Sequence, residues 1–383
     1  MFQRLLNLNN LLEKKSFFLF GPRLTGKSTL IGMALSGPAV KVYDLLDADV
    51  FGRLMRRPKV LEEDLEARGH QTIVIDEIQK LPGLLDQVHR LIERKKVRFL
   101  LTGSSARKLK RGAANLLAGR AWEAQLFPLV TPEIPGFDLD TYLHRGGLPH
   151  VYTSGFPDEE LASYVNLYLR EEIQAEALTR RIEPFARFLD AVGLSNGEEL
   201  SFEGLASDCG VPARTVQNYV GILEDTLVGF KLAPFLATRK RKAITRAKLY
   251  LFDVGVAGSL AQRGRPLRKS EAFGRAFEHF IVGELRAYLS YRRMRLPLQY
   301  WRSTSGFEVD AIVGKELAIE CKASELVSDK HLRGLRALKE EGLIRRHLVV
   351  SLDPEPRVTA DGIEIRPWES FLGDLWQDQL LSG

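Results

Sequence analysis

Residues 21–28, with the sequence GPRLTGKS, fit the pattern of a phosphate-binding loop in full. An apolar run at Ser16–Phe20 precedes the loop, and a helix is predicted to begin near Lys27 or Ser28. In such a loop the lysine neutralises the β- and γ-phosphates, and the serine hydroxyl faces Mg²⁺. The residues expected to hold the nucleotide are Gly21, Pro22, Arg23, Leu24, Thr25, Gly26, Lys27, Ser28, Thr29 and Ser104.

The pattern around this loop predicts a parallel sheet with crossover helices, because short apolar runs alternate with amphipathic stretches. The runs lie at 16–20, 40–43, 72–75 and 98–101. Residues from about 131 to 193 are predicted to be mostly helical. Further along, a helix is predicted at 273–289 and strands at 299–302, 307–313, 317–322 and 347–351.

Composition excludes several other classes of protein. Hydrophobic residues make up 45% and charged residues 27%, which is typical of a globular chain and not of a disordered one. No apolar run approaches the ~18 residues needed to cross a bilayer. The N-terminus carries charges where a signal peptide needs an apolar stretch. Two cysteines exclude a disulfide framework. The chain is therefore expected to be cytoplasmic, with no membrane partner.

A buried strand at 72–75 ends in two adjacent carboxylates, which supports the nucleotide site. Asp76 is expected to hold Mg²⁺ through water, and Glu77 to orient or deprotonate the attacking water. The alternative interpretation is a strand whose acidic end merely caps the following helix.

Two further roles in nucleotide hydrolysis have several candidates. The strand at 98–101 is followed by hydroxyl residues, of which Ser104 is the first choice and Thr102 the second for contacting the γ-phosphate. A plain strand-end turn is the alternative. Arg120 is the preferred arginine for stabilising charge at the γ-phosphate, ahead of Arg107 and Arg111. A surface arginine without such a role is the other interpretation.

These segments resemble the prokaryotic AAA+ ATPases that carry a C-terminal DUF4143 domain. The matching residues are GPRLTGKS at 21–28, VIDEIQ at 74–79, LLTGSS at 100–105, LAGRA at 117–121 and GGLP at 146–149. The resemblance spans nearly the whole chain and implies ATP and Mg²⁺ as cofactors. It also implies a homo-oligomer, often a ring, in which an arginine completes the neighbouring subunit's site.

A helix-turn-helix unit is predicted between about residues 200 and 220. Gly210 suits the tight turn, and Pro212 suits the start of the second helix. The exposed side of that helix would carry polar residues able to meet bases or phosphates, namely Arg214, Thr215, Gln217 and Asn218. A strand at 227–233 and the segment after it would form the wing. A protein-contact or lid module is the alternative.

Positive charge is concentrated at this predicted wing. The chain has a net charge of +6, a mild excess, but residues 231–250 contain seven basic residues and no acidic one. Such a cluster is typical of phosphate binding, although a solvated surface would also explain it. The residues expected to contact nucleic acid here are Arg239, Lys240, Arg241 and Lys242.

The C-terminal region contains a hairpin whose register follows from its pattern. Apolar residues alternate at 309, 311 and 313, and again at 317, 319 and 321. Matching these faces pairs residue 313 with 317 through a loop at 314–316, and places 310 opposite 320. A two-residue loop would put the carboxylates on opposite faces. Asp310, Glu320 and Lys322 are therefore predicted to converge on one face.

Two carboxylates and a lysine can bind a divalent metal ion and position water for phosphodiester attack. Glu278, in the preceding helix, is a further candidate ligand. This arrangement resembles the PD-(D/E)xK nuclease superfamily, although the proline of its motif is absent. The alternatives are an exposed hairpin with an ion pair between Glu320 and Lys322, and a nuclease-like domain that binds nucleic acid without cutting it.

The expected fold class is α/β, in four parts. These are an AAA+ P-loop sheet at 1–130, a helical lid or connector at 131–195, a winged helix-turn-helix unit at 196–240, and a restriction-endonuclease-like α/β domain at 241–383. The residues expected to be catalytic are Lys27, Asp76, Glu77, Arg120, Glu278, Asp310, Glu320 and Lys322. Those expected to bind metal are Ser28, Asp76, Glu278, Asp310 and Glu320.

The expected function is Mg²⁺-dependent ATP hydrolysis coupled to binding DNA, duplex or branched, and to remodelling or cleaving it. The alternative is an ATP-dependent regulatory switch that binds nucleic acid or protein without cleaving.

Overall fold

The computed structural model describes residues 2–68, 71–103, 117, 119–169 and 182–381. The chain divides into two compact units. The N-terminal unit comprises Met1–Leu129 and Ile222–Val228, and the C-terminal unit comprises Val130–Gly221 and Gly229–Gly383. The helical connector, most of the helix-turn-helix segment and the C-terminal domain therefore belong to one unit.

The N-terminal unit contains a parallel sheet of five strands, in the order β2-β3-β4-β1-β5. The strands are β1 (Ser16–Phe20), β2 (Val40–Asp44), β3 (Thr72–Asp76), β4 (Arg98–Gly103) and β5 (Ala121–Gln125). All residues of β1 are buried, and nearly all of β3 and β4, as expected for central strands covered on both faces. The predicted parallel α/β sheet is confirmed.

Helices of the N-terminal unit pack against this sheet. They are α1 (Leu8–Lys14), α2 (Lys27–Ala34), α3 (Ala48–Arg56), α4 (Val60–Arg68) and α5 (Leu84–Lys95). The side chain of Asp47 caps α3 by accepting hydrogen bonds from the N–H groups of Asp49 and Val50. Helix α5 buries Leu84, Val88 and Leu91 in the hydrophobic core, which is the spacing of one helical face.

The first part of the C-terminal unit is helical. Its elements are α6 (Leu139–Arg145), α7 (Pro149–Thr153), α8 (Pro157–Ser163), a π-helical stretch (Tyr164–Leu169), α9 (Ile182–Leu194), α10 (Phe202–Cys209) and α11 (Ala213–Asp225), of which residues 222–225 are counted with the N-terminal unit. Gly210 adopts a left-handed φ of 64° in the turn between α10 and α11, as the predicted helix-turn-helix requires. The Arg187 guanidinium of α9 donates to the carbonyl of Cys209 and ties α9 to that turn.

A second sheet has the order β12-β13-β11-β10-β9-β8-β6-β7. Its strands are β6 (Gly229–Pro234), β7 (Lys248–Leu251), β8 (Leu298–Arg302), β9 (Glu308–Val313), β10 (Leu317–Lys322), β11 (Arg346–Ser351), β12 (Arg357–Val358) and β13 (Glu364–Pro367). The associated helices are α12 (Val254–Leu260), α13 (Glu271–Tyr291), α14 (Arg333–Lys339) and α15 (Trp368–Trp376). Helix α13 buries Phe277, Phe280 and Ile281 and contacts β10.

Strand β6 differs from the wing that the sequence predicts. It pairs antiparallel with β7, as a wing strand would, but it also pairs with β8 and so enters the second sheet. The N–H of Phe235 continues this pairing by donating to the carbonyl of Tyr300 at 2.7 Å. Without this pairing, backbone groups of β8 near the buried Tyr300 would lack hydrogen bonds on this side, which is costly. The expected wing is therefore an integral part of the C-terminal sheet.

Candidate functional site

The phosphate-binding loop follows β1 directly and leads into α2. Gly21 lies against the backbone, since a Cβ there would be 2.6 Å from the carbonyl oxygen of Leu126. Gly26 has a left-handed φ of 91°. The Nζ of Lys27 donates to the carbonyl oxygens of Gly21 at 2.6 Å and Pro22 at 3.0 Å. Both glycines are therefore needed for the shape of the loop, and the lysine is already directed into it.

Arg4 supports the loop from outside the motif, and the sequence analysis missed it. Its Nη1 donates to the carbonyl of Thr25 at 2.7 Å, and its Nη2 donates to the carbonyl of Phe127 at 2.6 Å. The hydroxyl of Thr25 in turn donates to the carbonyl of Pro22 at 2.9 Å. An arginine so far from the loop in sequence carries no recognisable signal.

The acidic end of β3 lies beside the loop and is connected to it by hydrogen bonds. The Ser28 hydroxyl donates to Oδ2 of Asp76 at 2.9 Å, and the Thr102 hydroxyl donates to Oδ1 of the same carboxylate. These contacts arise because β4, which carries Thr102, lies between β1 and β3. Mg²⁺ prefers oxygen ligands, and the hydroxyl of Ser28 and the carboxylate of Asp76 lie close enough to bind one ion together. These two residues therefore fit the expected Mg²⁺.

Thr102, the second choice for the γ-phosphate contact, also contacts the residue that follows Asp76. Its Oγ1 accepts a hydrogen bond from the N–H of Glu77 at 3.1 Å. Ser104, the first choice, lies outside the described residues, as do Arg107 and Arg111. Glu77 has a left-handed φ of 59°, which costs a non-glycine residue on the order of 1 kcal/mol. Its carboxylate accepts a hydrogen bond from Nε2 of Gln79. Strain of this kind is often found at functional positions.

Arg120 is not beside the phosphate-binding loop of its own chain. It precedes β5, whose first residue, Ala121, pairs with Ser16 at the start of β1. The loop begins at the other end of β1, about 16 Å away at about 3.3 Å per residue. The guanidinium of Arg120 instead forms an ion pair with Glu93.

The hairpin of β9 and β10 has the predicted register, since Val313 pairs with Leu317. Three of the predicted site residues converge on it. The Nζ of Lys322 lies 2.6 Å from Oε1 of Glu320 and 4.0 Å from Oδ2 of Asp310. The backbone N–H of Cys321 donates to Oδ2 of Asp310 at 2.8 Å. Asp310 and Glu320 are both buried.

Burial dominates the electrostatics of these two carboxyl groups. It raises the pKa of Asp310, and the Glu278 carboxylate raises it further. Burial also raises the pKa of Glu320 well above its usual range, and Asp310 adds to that rise. The ammonium of Lys322 acts in the opposite direction on both.

Lys248, at the start of β7, joins this cluster, although its role is not evident from the sequence. Its Nζ lies 2.9 Å from Oε1 of Glu278 and 2.7 Å from Oε1 of Glu308. The hydroxyl of Tyr250 donates to the same Glu278 oxygen at 2.5 Å. Burial alone would lower the pKa of Lys248, but Glu278, Tyr250 and the neighbouring carboxylates outweigh it and hold this pKa well above its ordinary value. The sequence feature that could have indicated this role is a lysine at the first position of an otherwise apolar strand.

The structure therefore brings Glu278 to the cluster, but as the partner of a lysine. Within the described ranges, no group of three or more His, Cys, Asp or Glu side chains is arranged to hold a metal ion. Lys248, Glu278 and Glu308 line a polar cleft of about 380 Å³.

Most of the residues predicted to contact nucleic acid on α11 are exposed. Arg214, Gln217 and Asn218 lie on its solvent side, and Thr215 is partly exposed. The opposite side of the helix buries Val216, Tyr219 and Val220.

The basic segment at 239–242 is held against the end of α14. The backbone N–H groups of Arg239, Lys240 and Arg241 donate to the carboxylate of Glu341 at 2.8 to 3.0 Å. The guanidinium of Arg241 also forms an ion pair with Glu340 at 2.6 Å. The acidic residues offset part of the positive charge, while the side chains of Arg239 and Lys242 remain exposed.

Among the residues described, no helix combines the length and the apolar character that a membrane span requires.

Three family models match the chain. An AAA domain, AAA_14, matches residues 13–134, and two domains of unknown function, DUF8612 and DUF4143, match residues 136–267 and 273–371. The chain is 20% identical to the uncharacterized protein MJ1637 of Methanocaldococcus jannaschii, covering 94% of this chain and 85% of that protein.

Similar solved structures include the Orc1 protein of Aeropyrum pernix in complex with DNA, at 15% identity and a TM-score of 0.28 over 67% of this chain and 91% of that chain. Drosophila ORC bound to AT-rich DNA and Cdc6 matches at 11% identity and a TM-score of 0.24, over 67% of this chain and 87% of that chain. The signal transduction ATPase PH0952 of Pyrococcus horikoshii matches at 14% identity and a TM-score of 0.25, over 76% of this chain and 48% of that chain. Because these TM-scores are low, the family membership of the chain rests on the matches to the AAA_14 and DUF4143 models and not on the solved structures.

Proposed function

Because this chain belongs to the AAA+ ATPases that carry a C-terminal DUF4143 domain, we propose that it hydrolyses MgATP and that hydrolysis controls the binding of DNA by the C-terminal unit. The observation that carries the first half is the hydrogen-bonded series of Ser28, Asp76 and Thr102 beside the phosphate-binding loop. Control of DNA binding is supported by the exposed polar side of α11 and the exposed basic side chains at 239 and 242.

In this mechanism the loop residues bind the phosphates and the end of β3 handles water. Lys27 exchanges its contacts to the loop carbonyls for contacts to the β- and γ-phosphates. Ser28 and Asp76 would hold Mg²⁺, which when bound offsets phosphate charge. Glu77 orients or deprotonates the attacking water, and Thr102 keeps both acidic residues in position.

Arg120 is proposed to act in the site of a neighbouring subunit within a homo-oligomer. Its place at the far end of β1 and β5 supports this role, since it cannot reach the loop of its own chain without a large rearrangement. Its exposed ion pair with Glu93 would be exchanged for contact with the neighbour's γ-phosphate. An exposed ion pair contributes little stability, so that exchange has a low cost.

The test is ATP turnover by the purified chain, alone and with duplex, single-stranded or four-way-junction DNA. Lys27→Ala is the control and is expected to abolish turnover. We expect one DNA to stimulate turnover severalfold. Turnover that no DNA changes would contradict coupling and favour the regulatory switch.

The DNA contacts have a separate test in the salt dependence of binding. Neutralising Arg239 and Lys242 is expected to weaken binding and to reduce the slope of log K against log salt by about 1 for each phosphate that the variant no longer neutralises. Arg214→Ala on α11 tests the second surface in the same way. An unchanged slope in every variant would exclude these residues as phosphate contacts.

A second candidate function is Mg²⁺-dependent cleavage of DNA, alone or together with remodelling. It is favoured by the convergence of Asp310, Glu320 and Lys322 on one face of the hairpin. The Asp310→Ala and Glu320→Ala variants are expected to lose any metal-dependent cleavage. Cleavage that persists in both variants would rule out this site as its source.

A further inference from the structure

The ammonium of Lys248 lies where two carboxylates of the C-terminal cluster meet. It is within hydrogen-bond distance of both Glu278 and Glu308, and its side chain is only 5% exposed. It comes from β7, whereas Glu308 and its neighbours come from β9 and β10, and Glu278 comes from α13. Three separate parts of the unit therefore converge on one buried cation.

The same cluster has a buried oxygen without a partner in the part of the chain that the structure describes. Oε2 of Glu320 is buried and accepts no hydrogen bond from any described residue, although Oε1 contacts Lys322. Among the residues described, the carboxylates of Glu278, Glu308, Asp310 and Glu320 face three cationic groups. These are the ammonium groups of Lys248 and Lys322 and the guanidinium of Arg302, whose Nη1 lies 3.7 Å from Oε2 of Glu308. Buried carboxylate oxygens without partners are costly. The cluster can therefore accommodate more positive charge than it holds.

Oxygen ligands of this kind suit Mg²⁺ or Mn²⁺, but a divalent ion at Glu278 would be repelled by the Lys248 ammonium that contacts the same carboxylate. Because Lys248 neutralises Glu278, the nearby carboxylates left for a metal ion are Asp310 and Glu320, and Lys322 already contacts Glu320. Among the residues described, no three such ligands are arranged to hold a metal ion.

We propose that Lys248 is an internal cation that takes the place of a divalent metal ion at Glu278. Removing its ammonium turns Glu278, Asp310 and Glu320 into a divalent-cation site. The proposal does not depend on ATP hydrolysis. It concerns only the second candidate function, and it implies that the unaltered chain binds nucleic acid without cutting it. Cleavage would then be absent while DNA-coupled ATP turnover persists.

The test is a calorimetric titration of the full chain with Mn²⁺ in the absence of nucleotide. Lys248→Met is compared with the unaltered chain and with Lys231→Met. Lys231 is exposed on the adjacent strand β6, so that control removes the same charge from the same sheet. We expect Lys248→Met alone to gain one Mn²⁺ site, about tenfold or more tighter than any C-terminal site in the other two. The nucleotide site is common to all three and cancels.

Lys248→Met could also fail to fold, because it leaves Glu278 and Glu308 without their cation. Thermal unfolding with and without Mn²⁺ covers that case. Mn²⁺ is expected to raise the Tm of Lys248→Met and not that of Lys231→Met. The double variant Lys248→Met/Glu278→Gln loses the cation and one ligand together, and is expected to fold without Mn²⁺ and to show no gained site.

Two results would overturn the proposal. One is a Lys248→Met variant that neither gains an Mn²⁺ site nor is stabilised by Mn²⁺. The other is tight Mn²⁺ binding by the unaltered chain that Glu278→Gln weakens, since Glu278 would then already serve a metal ion in the presence of Lys248.

Discussion

The imidazole of His279 is held in its neutral form by two hydrogen bonds inside the C-terminal unit. Its Nε2 donates to the carbonyl of Leu251 at 2.8 Å, and its Nδ1 accepts from Nδ2 of Asn196 at 3.1 Å. The amide of Asn196 is itself oriented, because its Oδ1 accepts from the N–H of Leu251 at 2.7 Å. A second proton on the ring would therefore face a donor. Burial lowers the pKa of His279 to about 4.

This pKa makes the stability of the unit depend on pH in a definite direction. The unfolded chain takes up the proton near the ordinary histidine pKa of 6.5, whereas the folded chain resists it until about 4. Stability is therefore complete above 6.5 and is lost as the pH falls from 6.5 towards 4. At about 1.36 kcal/mol per pKa step, the loss between about pH 7.5 and about pH 5 is about 2 kcal/mol.

The measurement is urea unfolding at these two pH values, monitored by tryptophan fluorescence. Three of the four tryptophans, Trp301, Trp368 and Trp376, lie in the same unit as His279. The control is His279→Gln, whose amide can both donate and accept but does not titrate. We expect the unaltered chain to lose about 2 kcal/mol more than the control on acidification. Equal losses in the two proteins would refute the reasoning.

Two substitutions test the packing and the nucleotide site. Thr102→Val removes the hydroxyl that contacts Asp76, and is expected to lower ATP turnover about tenfold to a hundredfold with little change in nucleotide affinity, measured by single-turnover kinetics and nucleotide titration. Gly146→Ala would place a Cβ 2.0 Å from Oδ1 of Asp253 at a φ of 73°, and is expected to cost about 3 kcal/mol in urea unfolding. Gly136→Ala, at a φ of 65° with open space around it, should cost only about 1 kcal/mol; equal losses would contradict the close approach.

Short-range patterns predicted the strand and helix on either side of the phosphate-binding loop and the register of the hairpin, and these are confirmed. The loop at 21–28 and the acidic end of β3 are recognisable because backbone geometry within a few residues sets them. The register of β9 and β10 could be derived because a buried face tolerates no slip of one residue. Thr102 was only the second choice for the γ-phosphate contact. Its proximity to Asp76 depends on the order of strands, which the alternation of apolar runs does not reveal.

The sequence by itself determined where phosphate chemistry is predicted, at residues 21–28 and at the acidic end of β3, and on which faces of β9 and β10 the charged residues lie. The tertiary structure alone decided what those residues contact. Lys248 counted as one of seven basic residues in a charged segment, yet it is buried against Glu278, 30 residues further along the chain. Strand β6 likewise enters the second sheet by pairing with β8, 65 residues or more away. Such contacts depend on burial and charge between distant segments, whereas local periodicity reports only on neighbours.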